Sequence, residues 1–194
     1  MKLRSFIAFD IPRTLADELG AVSRELSRLE PRVRWVAPEN MHVTIKFLGN
    51  VEEGLIKGEI SDLIEEVASL SGRLSFVSRG IGAFPNPKYP RVVWAGLEGD
   101  VGLLGEMYQK LEEGLSHFGI KKEEERFVPH ITLGRVRDFV KAPLLTQKID
   151  ELSQKEFGGF EISYILLYKS LLTRDGPIYT PIVRFNLGGR KDIL

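Results

Sequence analysis

The chain has 194 residues, 43% of them hydrophobic and 28% charged, with 27 acidic and 27 basic side chains that leave no formal net charge. Those figures fit one good-sized core or two small lobes sharing an interface, and they exclude disordered and fibrous classes. The charge balance argues against coating long nucleic acid through many phosphates, and the absence of cysteine removes disulfides, thiolate nucleophiles and sulfur-ligated zinc.

Apolar stretches are short and punctuated by charge, and Met1-Lys2-Leu3-Arg4 runs straight into a strand pattern in place of a signal-peptide core. A cytoplasmic protein with no membrane partner is expected. Few Asn and Gln, no Cys and many Lys, Arg and Glu lean toward a heat-adapted source.

In chain order, Arg4 to Phe9 is β-rich, and Leu15, Leu19, Val22, Leu26 and Leu29 repeat at spacings of four and three, as an amphipathic helix requires. Arg34 to Val36 and Met41 to Leu48 read as extended, with Gly49-Asn50 as a turn. Leu55 to Leu70 predicts a second helix and Leu74 to Val77 a strand. Gly82 to Pro90, with three prolines, reads as a surface connection. The same order then begins again: a strand at Arg91–Ala95, a helix from Leu104 to Phe118, a charged turn at Lys121–Glu125, and a strand at His130. A short helix through Leu144, Leu145, Ile149 and Leu152 comes next, with strands at Ile162–Tyr168 and Tyr179–Leu187.

Within those two passes, His42-Val43-Thr44-Ile45 and His130-Ile131-Thr132-Leu133 read alike: His, aliphatic, Thr, aliphatic. Side chains i and i+2 of a strand share a face, so each segment presents an imidazole and a hydroxyl together while its aliphatics point the other way. Thr occurs six times in the chain, so a given His has Thr at i+2 with odds of roughly 3%, and two of three doing so is an event of order 10⁻³ to 10⁻².

The matched order and spacing suggest a duplication. The expected fold is α+β and bilobal, one domain over 1–194 with two pseudo-symmetric β-α-β-α-β halves at about 1–84 and 91–187, their terminal strands free to intertwine. Helices would cover the outside while the antiparallel sheets face a central cleft where the His-Thr faces meet.

Two imidazoles on opposite walls suit concerted proton transfer near neutral pH, one accepting while the other donates. Two hydroxyls beside them can hold the oxygens of an anion without a metal. Together they fit in-line displacement at a phosphodiester. A zinc site needs further ligands, and the third histidine, His117, sits at a helix end, where a capping or solvent role is expected. No Gly-x-Ser-x-Gly element is present, and Gly80-Ile81-Gly82 and Gly188-Gly189 read as bends. No metal or other cofactor is expected.

As they stand in Met41-His42-Val43-Thr44-Ile45-Lys46-Phe47-Leu48-Gly49 and in Arg126-Phe127-Val128-Pro129-His130-Ile131-Thr132-Leu133-Gly134-Arg135, the two segments resemble the HxTx motifs of the 2H phosphoesterase superfamily. Within it the chain is similar to archaeal or bacterial RNA 2′,3′-cyclic phosphodiesterases, historically called 2′-5′ RNA ligases. The likeness extends to Arg4–Phe9, Phe84-Pro85 and Tyr179-Thr180-Pro181.

The resemblance implies hydrolysis of an RNA 2′,3′-cyclic phosphate to a 2′-phosphomonoester, with 2′-5′ ligation as the reverse. His42 would be the proton donor and His130 the acceptor, while Thr44, Thr132 and Arg135 would bind phosphate. The expected partners are RNA ends or nucleotides bearing a 2′,3′-cyclic phosphate, and a monomer is expected. Two other readings stand beside this one, a cyclic phosphodiesterase for small nucleotides and a non-catalytic RNA-end or nucleotide binding module. Phe9, Phe47, Phe84 and Trp94 are candidate platforms for a base. By simple alternation Lys46 shares the face of His42 and Thr44.

Overall fold

The computed structural model describes residues 1–136, 141–174, 176–189 and 191–193. The strands are β1 (Lys2–Asp10), β2 (Val33–Trp35), β3 (His42–Glu52), β4 (Leu74–Phe84), β5 (Val92–Gly99), β6 (His130–Val136), β7 (Glu156–Ile162), β8 (Tyr164–Leu172), β9 (Pro177–Asn186) and β10 (Lys191–Ile193). Helix α1 (Arg13–Ser27) follows β1, α4 (Val101–Ser116) follows β5 and α5 (Pro143–Glu151) precedes β7. After β3 the short α2 (Glu53–Leu55) passes through a π-helical turn, Ile56–Ile60, into α3 (Ser61–Ser69).

Alternation along β1 shows how the two faces of the sheet differ. Ile7 and Phe9 enter the main core with the apolar stripes of the helices, whereas Phe6 and Ala8 join Leu166 and Tyr168 in a small cluster on the other face. The stripes are those marked by the sequence periodicity, such as Leu15, Leu19, Val22 and Leu26 of α1, each no more than 5% exposed. Burying a leucine stabilises by about 1.5–3 kcal/mol. Helices on one face therefore leave the other open for the polar groups.

All pairings are antiparallel, in the order β10-β9-β8-β1-β3-β6-β5-β4-β7, with β2 beside the end of β6. This is the α+β, antiparallel class expected. The order is palindromic about β3 and β6: β8-β1-β3 mirrors β4-β5-β6.

Division at 1–84 and 91–187 would group β4 with β1 and β3. β4 pairs with β5 and β7, and β8 pairs with β1, so the halves exchange their third strand, the intertwining that this division leaves open. The reason is local. The Arg91 N–H donates to the Phe84 carbonyl at 2.7 Å, closing the proline-rich connection and making β4 and β5 hairpin partners.

Gly49-Asn50 does not end a strand. Phe6 pairs with Phe47 and Ser5 with Gly49, so Leu48 is passed over in a bulge, Gly49 takes φ +74°, and β3 runs on to Glu52. Gly80, at φ +75° in the β4–β5 irregularity, likewise lets β4 continue to Phe84. β7 and β8 are separate strands where the sequence suggests one. No helix among the described residues is long and apolar enough to cross a membrane.

Candidate active site

Strands β3 and β6 are joined at Val43 opposite Ile131, and both side chains are fully buried in the main core. Antiparallel pairing about that point sets His42 across from Thr132 and Thr44 across from His130, all four on the face away from the helices. The two motifs thus form one patch on adjacent strands of a single sheet, not the opposite walls expected from the sequence, because β3 and β6 pair directly with each other.

Both imidazoles are tethered in the same way. Nδ1 of His42 lies 2.8 Å from the Asn40 carbonyl and Nδ1 of His130 lies 2.7 Å from the Val128 carbonyl, each two residues earlier. A carbonyl only accepts, so Nδ1 carries a hydrogen in both rings and Nε2 is the nitrogen free for proton transfer. Thr44 Oγ1 lies 3.1 Å from His42 Nε2 and donates to it when the ring is neutral.

Burial pushes both histidines below their ordinary pKa. For His42 the Asn40 carbonyl and the Asp10 carboxylate oppose that effect, while Arg135 and His130 add to it. For His130 the Val128 carbonyl opposes it and Arg135 adds to it. Asp10 is the cross-strand neighbour of His42 and accepts a 2.6 Å hydrogen bond from the Tyr168 hydroxyl. A carboxylate therefore backs one imidazole of the pair and a guanidinium bears on both.

Each histidine has an aromatic wall. Phe6 lies 5.1 Å from the His42 ring and Tyr179 meets it edge-on at 5.2 Å, with Tyr168 stacked on Phe6. Phe84 meets His130 edge-on at 5.1 Å, and Trp94 lies 6.5 Å away. The Trp94 indole occupies the space above Gly82, where a Cβ would come within 2.3 Å of the ring.

A bulge after each threonine decides which later side chains reach the open face. In β3, Ile7 pairs with Lys46 and Ala8 with Thr44, so Ile45 is passed over; in β6, Val93 pairs with Gly134 and Trp94 with Thr132, so Leu133 is passed over. The extra residue inverts the alternation. Arg135 and Phe47, three residues beyond Thr132 and Thr44, consequently join the histidine face, and Phe47 lies 5.9 Å from Phe6.

Lys46 does not line that face, as simple alternation suggests. It is 2% exposed on the helix side, paired with the buried Glu112, and it donates to the Lys121 carbonyl at 2.8 Å. Phe9 is not a platform either, because it is fully buried and stacked on Phe76. His117 is the exposed C-cap of α4. Sequence reasoning misses Asp10, Phe6 and Tyr179 and leaves Tyr168-Lys169-Ser170 ambiguous; these residues lie on β1, β8 and β9, far apart in the chain. The signals in reach were the alternation of Phe6, Ala8 and Asp10 and the Tyr179-Thr180-Pro181 segment.

Among the described residues, no three His, Cys, Asp or Glu side chains are grouped to hold a metal.

The model of the LigT like Phosphoesterase family matches residues 9–94 and 100–179, taking in both His-x-Thr strands. The RNA 2′,3′-cyclic phosphodiesterase of Methanocaldococcus jannaschii is 38% identical over 93% of this chain and 98% of its own. The protein of the same name from Methanothermobacter thermautotrophicus is 35% identical over 96% of this chain and 100% of its own. Among solved structures, TT0787 of Thermus thermophilus superposes with a TM-score of 0.79 at 26% identity, over 96% of this chain and 99% of that one. E. coli LigT complexed with 3′-AMP shares the fold at a TM-score of 0.75 and 24% identity, over 96% and 99% of the two chains. With both histidine strands inside the matched segments and the archaeal relatives aligned nearly end to end, the chain belongs to the LigT-like phosphoesterases.

Proposed function

We propose that this protein hydrolyses RNA 2′,3′-cyclic phosphate ends to 2′-phosphomonoesters, with His42 as proton donor and His130 as proton acceptor. The observation that carries the reading is the matched tethering of the two imidazoles, each with Nδ1 committed to a carbonyl and Nε2 left for chemistry. The names of the archaeal relatives support the substrate class.

In the proposed step, His130 Nε2 takes a proton from water as its oxygen attacks phosphorus in line with O3′. The P–O3′ bond breaks, His42 Nε2–H protonates O3′, and the phosphate stays on O2′. Asp10 favours the charged form of His42 and has no counterpart acting on His130, which supports the order of roles. Thr44, Thr132 and Arg135 hold the non-bridging oxygens, where negative charge builds up. Phe47, exposed and adjoining Phe6, is the platform for the base. With an RNA 5′-hydroxyl as the nucleophile in place of water, the same groups join two RNAs: O5′ attacks phosphorus as His130 takes its proton, the P–O3′ bond breaks with protonation of O3′ by His42, and a 2′-5′ phosphodiester remains.

The test is incubation of the protein with an oligoribonucleotide ending in a 2′,3′-cyclic phosphate, followed by identification of the product end. A 2′-phosphate is expected, and His42→Ala and His130→Ala should each slow its formation by about 10²–10⁴. An intact cyclic end, or turnover at the wild-type rate in either variant, rules the mechanism out.

A further inference from the structure

Beside the candidate active site two arginines lie across from each other on neighbouring strands. Strand β2 pairs with the end of β6, and Arg34 is the direct cross-strand neighbour of Arg135. Val33 and Trp35, on either side of Arg34, pack against the main core, so Arg34 points to the histidine face, as Arg135 does. Both arginines are exposed, and neither has a carboxylate partner among the described residues. Like charges directly opposite on a sheet repel. An arrangement that opposes folding and has no internal compensation is what an anion seat requires.

The two guanidiniums are not equivalent. Arg135 acts on both histidines, whereas the charges that bear on them do not include Arg34, which sits on β2, further along the edge of β6 that β3 also occupies. The β8–β9 hairpin, closed by Thr173 N–H to the Gly176 carbonyl at 3.0 Å, comes alongside: a Cβ at Gly176 would meet the Arg34 guanidinium at 3.0 Å. Glycine there leaves the guanidinium its room.

We infer that Arg34 and Arg135 form a two-phosphate seat, in which Arg135 takes the cyclic phosphate and Arg34 takes the phosphodiester on the 5′ side of the terminal nucleotide. The inference rests on the proposed hydrolytic function and narrows its substrate class: the site is built for the end of an RNA chain over a free cyclic mononucleotide.

The experiment compares kcat/KM of wild type, Arg34→Gln and Arg34→Lys on adenosine 2′,3′-cyclic phosphate and on the dinucleotide ApA ending in the same group. Wild type should favour the dinucleotide by about tenfold, chiefly through KM, as one charge-assisted contact to phosphate provides. Arg34→Gln should bring that ratio to about twofold or less, while Arg34→Lys keeps most of it. The salt dependence of log kcat/KM should be steeper for the dinucleotide by roughly 0.7 in wild type and not in Arg34→Gln. Equal wild-type rates on the two substrates overturn the seat while leaving the function standing. So does an Arg34→Gln variant that slows both by the same factor. If wild type hydrolyses neither, the proposed function fails and the seat fails with it.

Discussion

Phe47 and Arg135 occupy the same place in the two halves of the sheet. Each is the third residue after a motif threonine, and each reaches the histidine face because a bulge passes over one aliphatic, Ile45 or Leu133. The repeat is kept in backbone geometry and broken in side chain. An aromatic ring stands on one side of the pseudo-twofold and a guanidinium on the other. On the proposed function, that asymmetry would give a substrate one orientation on a nearly symmetric patch, with the base on the Phe47 side and the phosphate in reach of Arg135.

Removing the ring should weaken recognition of the base. Stacking on an aromatic contributes about 1–3 kcal/mol per base, so Phe47→Ala should lower kcat/KM on a nucleoside 2′,3′-cyclic phosphate about 5- to 150-fold, mostly in KM. Phe47→Tyr should retain most of it. The control is ribose 2′,3′-cyclic phosphate without a base, whose turnover should not respond to Phe47→Ala; an equal loss on both substrates would contradict the platform role.

Both histidines lie below their ordinary pKa through burial, and the active form needs one proton on the pair. The kcat/KM profile, which reports the free enzyme, should therefore be a bell centred on the acid side of 6.5. It falls at higher pH as His42 loses its proton and at lower pH as His130 gains one. A bound phosphodiester anion favours both charged rings, so the kcat profile should lie at higher pH than that of kcat/KM. Superimposable profiles would show that the reacting phosphate does not sit between the rings.

Two charges should move that bell in opposite directions. Arg135 lowers both imidazoles, so Arg135→Ala should shift the profile to higher pH while cutting kcat/KM about 10- to 100-fold through loss of a charge-assisted phosphate contact. Asp10 raises His42, so Asp10→Asn should lower the limb on which His42 deprotonates and narrow the bell. The check is the pH profile of each variant, and a shift of the same sign in both is incompatible with the electrostatic assignment.

The fold was legible in the sequence wherever period alone decides it. Alternation in β1 and the four-and-three spacing of α1 mark side chains that are buried where expected, whereas the paired His-x-Thr segments, expected on opposite walls of a cleft, lie on adjacent strands of one sheet. What the sequence concealed came from pairing and register. The exchange of β4 and β8 between halves depends on which strands become hairpin partners, and no residue pattern states that. The contribution of Tyr168 to the His42 surroundings depends on that exchange, because β8 arrives beside β1 only through it. The bulges at Ile45 and Leu133 invert alternation without a glycine at the skipped position, and so Lys46 and Phe47 trade faces relative to a plain reading.

Lys46 tests that inversion directly. If it lined the open face, its loss would touch activity and little else. In the structure its side chain is 1% exposed and its ammonium pairs with Glu112, whose side chain is 6% exposed and whose other oxygen accepts the Glu123 N–H at 2.9 Å. Removing one member of such a pair strands the other charge in the core, at a cost of about 3–5 kcal/mol. Lys46→Met should thus destabilise strongly, lowering Tm by roughly 6–20 °C for a domain of this size. The double variant Lys46→Met with Glu112→Met should recover most of the loss, because neither charge is then left unpaired. Thermal unfolding of the two variants decides it: a single variant as stable as wild type would return Lys46 to the open face and remove the bulge as the reason Phe47 reaches it.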